Sequence, residues 1–271
     1  MSPLQAVVLG IVQGLTEFLP VSSSGHLILV PALFGWTDQG LAFDAAVHLG
    51  TGLALLCYFA PELTRLAGGV LSGRRDDLRL AAALGVGTVP AALAGLLLEG
   101  AIEARLRSPL VVAMSTIGWG LVLGWADRQA ARAHVEAVRD VGVLRGFLLG
   151  CAQMVALVPG TSRSGITLSA GLFAGLDRPT AARFAFLLGL PITAGAGLLK
   201  TASLVGHGLG AGEATALGLG LLTSFAAGVT AVWFLIRHLR RSTLAVFVVY
   251  RIGLGLAILG LIVARGGLAS P

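Results

Sequence analysis

Apolar residues run along this chain in blocks of membrane-spanning length, and two of the blocks are cut at their centre by polar stretches. Uninterrupted blocks lie at 44–64, 80–100, 109–126, 180–202, 214–236 and 243–264. Each is close to the ~20 residues that cross a bilayer as helix. Two further blocks, 4–35 and 145–176, each carry a polar segment in the middle, and neither half is long enough to span comfortably. Hydroxyls, Pro and Gly inside apolar sequence are what a broken membrane helix needs where it lines a polar site. The pattern predicts an all-α polytopic membrane protein of about six full spans plus two re-entrant helix hairpins, with the polar segments at the turns.

The two polar segments look like copies of one design. The first reads Gln13-Gly14-Leu15-Thr16-Glu17-Phe18-Leu19-Pro20-Val21-Ser22-Ser23-Ser24-Gly25-His26, and the second reads Gln153-Met154-Val155-Ala156-Leu157-Val158-Pro159-Gly160-Thr161-Ser162-Arg163-Ser164-Gly165. At an offset of 140, Gly10 falls on Gly150, Gln13 on Gln153, Ser22 on Ser162, Ser24 on Ser164 and Gly25 on Gly165, while Pro20 and Pro159 miss by one place. One copy brings a carboxylate and a histidine, the other an arginine.

Charge decides how the blocks thread. Only 12% of the 271 residues are charged and 56% are hydrophobic, against about 25% charged in soluble domains. The net charge of +6 therefore reads as topology and not as a nucleic-acid signal. Arginines cluster at 65–79, 128–145, 178–183 and 237–241, and these junctions hold thirteen of the nineteen basic residues. With all four inside, the positive-inside rule is met and the six spans thread without contradiction. The 4–35 hairpin then enters from the outer face and the 145–176 hairpin from the cytoplasm. That is an inverted-topology repeat in one integral domain, 1–271, with halves of approximately 1–126 and 140–271. Such repeats place their site at the midplane, which predicts that Glu17 and Arg163 share one site. The two cysteines, Cys57 and Cys151, give neither a disulfide framework nor metal-ligand spacing.

A charge at bilayer depth costs roughly 2.5–3.5 kcal/mol on insertion scales and marks function by default. The plainer alternative for Glu17 and Arg163 is an ion pair that locks the hairpins. Arg163 offers a planar fork for phosphate oxygens. Thr161, Ser162 and Ser164 add hydroxyls, and Gly160 and Gly165 let backbone approach a ligand at a helix N-terminus. Together they form a phosphate cradle that lacks the Walker pattern. Hydroxyls that only satisfy backbone at the helix break are the competing account, and Thr161 fits it best. Ser22, Ser23 and Ser24 could supply a nucleophile or phosphate donors, with His26 near enough for proton transfer. Asp44 divides evenly between an N-cap and a ligand, and His48 reads as structural. Arg251, inside the last span, has three candidate partners: a carboxylate, a lipid headgroup, or the interface by snorkelling.

These residues resemble the bacterial undecaprenyl-pyrophosphate phosphatase family of the BacA/UppP type. The resemblance rests on the Gln13–His26 segment and on Pro159-Gly160-Thr161-Ser162-Arg163-Ser164-Gly165-Ile166-Thr167, and it runs over nearly the whole chain. It implies hydrolysis of undecaprenyl pyrophosphate to undecaprenyl phosphate and inorganic phosphate. That reaction recycles the lipid carrier of peptidoglycan synthesis and underlies resistance to bacitracin, which competes for the same lipid. It also implies a multi-pass protein of the bacterial inner membrane, often a homodimer, with its site open to the periplasmic side. A divalent cation, Mg2+ or Ca2+, is implied as cofactor. By motif position the essential glutamate maps to Glu17, the nucleophilic serine to Ser23, and the histidine and arginine to His26 and Arg163. Many members carry a second glutamate where this chain has Gln13. A glutamine can ligate a cation through its carbonyl without bringing charge, and Asp44 is the candidate for a second carboxylate.

The expected chemistry follows. Arg163 and Ser162 hold the headgroup, with Ser22, Ser24, Gly160, Thr161, Ser164 and Thr167 around it. Glu17 and Gln13 face the cation, Ser23 or a water attacks, and His26 handles protons. The competing class is a transporter or flippase of an anionic prenyl-phosphate lipid, since broken helices are also transporter architecture. Phosphate release separates the two.

Overall fold

The computed structural model describes residues 1–37, 39–106, 108–205 and 211–264. Over these the chain is helical, with one isolated β-bridge between Val135 and Leu176. The helices are α1 (Pro3–Phe18), α2 (Ser23–Phe34), α3 (Gly40–Leu71), α4 (Arg75–Leu106), α5 (Pro109–Gln129), α6 (Val143–Met154), α7 (Arg163–Phe173), α8 (Arg178–Val205), α9 (Ala211–Leu239) and α10 (Ala245–Ala264). Both interrupted blocks are helical hairpins, α1–α2 and α6–α7. Each of the six predicted spans lies within or nearly within one helix. Among the described residues five helices are long and apolar enough to cross a membrane: α3, α4, α5, α9 and α10. Most run several residues past the sequence-predicted bounds, because polar and charged turns extend a helix at no hydropathic signal. The predicted 180–202 span lies in α8, which is not among those five. Residues 206–210 and 265–271, parts of the second predicted half, lie outside the described residues.

Local sequence accounts for the breaks. Ser2 opens α1 with a reciprocal capping box: the Gln5 amide donates to Ser2 Oγ and the Ser2 amide to Gln5 Oε1. Pro20 closes the helix, since the residue before proline is driven out of the helical region, and Leu19 is extended. In the second hairpin α6 runs into a 3-10 turn at Val155–Leu157 ahead of Pro159. Both following helices start after a serine held at positive φ, Ser22 at 74° and Ser162 at 71°. These are uncommon values for a residue with a side chain.

The hairpins pack through glycine. A Cβ at Gly10 would stand 2.0 Å from Thr223 Oγ1, and one at Gly14 2.5 Å from the Ser224 carbonyl oxygen, so α1 lies directly on the α9 backbone. In the second hairpin a Cβ at Gly146 would stand 2.4 Å from the Ala83 carbonyl oxygen and one at Gly150 1.9 Å from that of Gly87, so α6 lies on α4 in the same way. Small residues permit this approach where apolar surroundings give no hydrophobic drive.

Arg251 of α10 fixes the hairpin tips. It is fully buried. Its Nε donates to the Thr116 carbonyl at 3.1 Å and Nη1 to that of Pro20 at 3.3 Å. Its Nη2 donates to the carbonyls of Gly160 and Thr161 at 3.0 and 2.9 Å. None of the three partners suggested by sequence is the one it takes. Three of its four partners are main-chain oxygens freed where the two hairpin helices break, and the fourth, that of Thr116, lies in α5, so Arg251 ties both tips to α5.

The arginine clusters converge. Arg65, Arg139, Arg183 and Arg240 line one cavity of about 420 Å³ with Glu62 and Glu136. Arg183 pairs with Glu62, Arg74 and Arg65 with Asp77, and Arg178 with Asp127, whose other oxygen accepts from the Leu244 amide. The segments flanking the α3–α4, α5–α6 and α9–α10 junctions and the start of α8 therefore meet around this cavity.

Two predictions concern stability. Gly150→Leu drives a side chain into the α4 backbone, and overpacking of this kind costs about 1–3 kcal/mol or more. Thermal melting in detergent should fall for it and not for Gly95→Leu, where the added Cβ meets nothing within 4 Å. Arg251→Met strands buried carbonyls at about 1–3 kcal/mol each. Its melting temperature should fall, and limited proteolysis should open both tips together.

Candidate active site

The site is built where the two hairpin tips touch. The Gly160 amide donates to Ser24 Oγ at 3.4 Å, and Ser164 Oγ donates to the Leu19 carbonyl at 3.2 Å. Thr116 Oγ1 reaches the Gly160 carbonyl at 3.3 Å. The tips share local geometry as well. Ser22 Oγ lies 3.3 Å from Ser24 Oγ, and Ser162 Oγ lies 3.2 Å from Ser164 Oγ. Because Ser23 opens α2 and Arg163 opens α7, two helix N-termini start at this junction. Each presents the positive end of its dipole, where anions are favoured.

Glu17, on the last turn of α1, is the hub. Its carboxylate pairs with the Arg163 guanidinium through Oε1. Its Oε2 accepts from Ser23 Oγ at 2.7 Å and from Gln13 Nε2 at 3.0 Å. His48 Nε2 lies 3.9 Å from the same oxygen. The ion pair spans 146 residues of sequence, and it joins the two sites that the threading predicts as one. Glu17 is buried, and Arg163 is the more open partner, with 22% of its side chain accessible. A carboxylate bonded to a serine hydroxyl is the nucleophile-and-base arrangement of covalent catalysis. The guanidinium beside it suits phosphate oxygens.

The remaining sequence-predicted residues divide. Ser162 caps α7, its Oγ accepting from the Gly165 amide at 3.2 Å. Ser22, Ser24 and Ser164 spend hydroxyl contacts on holding the tips. Gly160 is needed for its backbone: φ is 88°, and a Cβ would stand 2.4 Å from the Val112 carbonyl oxygen. Thr161 and Thr167 are buried, and neither Oγ1 has a partner. Gln13 is buried too, with Oε1 unpartnered. His26 stands apart from this hub: Nδ1 is 2.7 Å from the Ser22 carbonyl oxygen and Nε2 is 2.7 Å from the Tyr250 hydroxyl. A carbonyl only accepts, so Nδ1 carries the proton, and in the neutral ring Nε2 accepts from the tyrosine. Asp44 lies one turn inside α3, where Oδ1 accepts from Gln39 Nε2 at 3.0 Å, so it is not that helix's N-cap.

Sequence reasoning passes over Tyr250 and His48. Tyr250 is a half-exposed residue of an apolar helix with no local motif. His48 reads as structural because its neighbour, Glu17, is 31 residues away. The nearest signal for His48 is its place one turn after Asp44 on the same helix, since residues four apart share a face.

The comparisons with known proteins agree with one another. The family described as bacitracin resistance protein BacA matches residues 6–257. A protein of Stutzerimonas stutzeri (strain A1501) named undecaprenyl-diphosphatase 2 is 49% identical over 270 residues, covering 96% of this chain and 98% of that protein. Proteins named undecaprenyl-diphosphatase from Geobacter sulfurreducens and Hahella chejuensis are 47% and 45% identical. They cover 98% and 96% of this chain, and 100% and 98% of their own length. With the family matched over most of its length and relatives this similar end to end, the chain belongs to the BacA family.

Proposed function

We propose that this protein is an undecaprenyl-diphosphatase, an integral membrane enzyme that hydrolyses undecaprenyl pyrophosphate to undecaprenyl phosphate and inorganic phosphate. The observation that carries the reading is the Ser23 hydroxyl bonded at 2.7 Å to a carboxylate that also holds Arg163. The family and the relatives' names supply the substrate.

On this reading the pyrophosphate displaces Glu17 from Arg163, whose planar fork of N–H donors then takes phosphate oxygens at the N-termini of α2 and α7. Glu17, freed of its counter-ion, accepts the Ser23 proton as Oγ attacks the terminal phosphorus. The P–O bond to the lipid phosphate breaks, and undecaprenyl phosphate leaves. Glu17 passes the serine proton to solvent, takes a proton from the water that cleaves the phosphoserine, and returns it to Ser23 Oγ as inorganic phosphate forms. Preorganised charge at the transferred phosphoryl group carries most of the rate. The donor set suits a magnesium or calcium ion: Glu17 offers a carboxylate, and Gln13 Oε1 is a buried oxygen with no partner. Among the described residues no three His, Cys, Asp or Glu side chains gather to hold a metal alone. Substrate oxygens and water would complete the shell, as magnesium prefers. When bound, such an ion supplies Lewis-acid neutralisation of phosphate charge. Carriage of a lipid headgroup would not need a base hydrogen-bonded to a hydroxyl, and no feature of the site favours the transporter reading.

The arrangement in the membrane completes the proposal. α8 forms the sixth crossing, and the two hairpins dip in from opposite faces as an inverted repeat. Support comes from the matched positive-φ serines, and from α1 packing on α9 as α6 packs on α4. The arginine-lined end faces the cytoplasm of a bacterial inner membrane, and the site opens to the periplasm.

Detergent-purified protein should release inorganic phosphate from undecaprenyl pyrophosphate and lose that activity in EDTA. Glu17→Gln, which removes the base, and Arg163→Lys, which removes the planar donor fork, should each lower kcat/KM by roughly 100- to 1,000-fold, the scale of losing one preorganised contact to the transition state. Ser23→Ala should abolish phosphoenzyme formed in acid-quenched reactions. Activity persisting in folded Ser23→Ala would assign the attack to water.

His26 and Tyr250 should behave as one unit if the histidine handles protons. His26→Ala should lower kcat by about 100-fold, and Tyr250→Phe by less. The double variant should lose no more than His26→Ala alone, because coupled residues are non-additive. Fully additive losses would separate the tyrosine from the histidine.

A further inference from the structure

Gln153 is the most poorly satisfied side chain in the described structure. It lies on the last turn of α6, 2% exposed. Neither its amide nitrogen nor its amide oxygen has a hydrogen-bond partner. Among the described residues no other side-chain amide is buried with both atoms unpaired. Buried polar groups are paired in nearly all native structures, and each exception calls for an explanation. An apolar residue of the same size would serve packing better.

At the repeat offset Gln153 matches Gln13, whose Nε2 donates to Glu17 four residues on. Four residues after Gln153 stands Leu157, so the second glutamine has no carboxylate on its own helix to bind. Its surroundings point elsewhere. A Cβ at Gly189 of α8 would stand 3.7 Å from Gln153 Oε1, 3.9 Å from Arg163 Cδ and 4.0 Å from Arg163 Nε, with nothing nearer. Gly189 thus leaves a space that Gln153 and Arg163 both face. Thr167, one turn beyond Arg163 on α7, adds a buried hydroxyl with no partner. Unmet hydrogen-bonding capacity is therefore gathered around the one guanidinium that the proposed reaction uses.

We propose that Gln153 is a headgroup-binding residue, which receives the phosphate oxygens of the lipid pyrophosphate next to Arg163. Its Nε2 donates to a non-bridging oxygen, and Oε1 accepts from a protonated phosphate oxygen or a water carried with it. Gly189 keeps the space open for that oxygen. The inference rests on the phosphatase reading for its substrate, but not for its binding chemistry, which any pyrophosphate tests.

The test separates binding from structure by opposing their signs. Gln153→Leu removes an unpaired buried amide, so its melting temperature should equal or exceed that of the wild type. Its KM for undecaprenyl pyrophosphate should nonetheless rise by about ten- to a hundredfold, the range of a hydrogen bond to a charged group, while kcat changes less. Gly189→Ala places a methyl at ordinary contact distance. It should leave the melting temperature unchanged and raise KM in the same direction. Thermal stabilisation of each protein by inorganic pyrophosphate is measured alongside and should weaken in both variants. Unchanged KM and unchanged pyrophosphate stabilisation in Gln153→Leu would overturn the assignment, whichever way its melting temperature moved. If the wild type released no phosphate, the phosphatase reading would fail, and the pyrophosphate arm alone would decide whether Gln153 binds the headgroup.

Discussion

Breaking a helix inside an apolar bundle frees main-chain carbonyls that no water can reach, and the architecture depends on how they are satisfied. Arg251 is the answer in this fold. One guanidinium from α10 takes carbonyls of Pro20, Gly160, Thr161 and Thr116, so both tips and α5 are bound to a single rigid fork. A lysine could not do this, since an ammonium lacks the planar spread of donors. A carboxylate partner would neutralise Arg251 but leave the carbonyls unpaired. The buried positive charge also lies close behind the tips, where it adds to the field of two helix N-termini and favours an anion at the junction.

That field favours the Glu17 carboxylate at the junction, where Arg163, Ser23 and Gln13 satisfy its oxygens. Leaving one member of a buried pair without its partner is strongly unfavourable. In the proposed reaction pyrophosphate replaces Glu17 as the anion on Arg163, and the carboxylate, now beside Ser23 without a counter-ion, is neutralised when it takes the serine proton.

Much of this was legible in the sequence because its signals are local. Polar residues inside apolar blocks marked both hairpins, and arginine positions gave a threading that joins Glu17 to Arg163. The structure pairs these two directly. Helix bounds such as Gly40–Leu71 for the predicted 44–64 were not legible, since hydropathy stops where the helix goes on. Arg251 was visible as an anomaly, but its carbonyl partners lie 90 to 231 residues away, and no side-chain pattern advertises a main-chain acceptor. Tyr250 and His48 were missed for a similar reason: each enters the site by tertiary contact alone. The unpaired state of Gln153 is a property of packing and has no sequence signature at all.

The repeat offset contains the deepest regularity. Ser23 and Arg163 are equivalent positions, 140 residues apart. Each is the first residue of a helix that follows a serine at positive φ. Like geometry thus aims both side chains at the same junction from two tips. Two identical side chains there would give two nucleophiles or two cations, and neither pair can both hold and attack a phosphate. In the proposed reaction, substitution at one of the two equivalent places, together with Glu17 opposite Leu157, divides the labour: one tip carries hydroxyl and base, the other the charge that receives the phosphoryl oxygens. In the proposed reaction catalysis arises where the repeat departs from symmetry, while the symmetric part of it, glycine packing and strained serines, supplies the positioning.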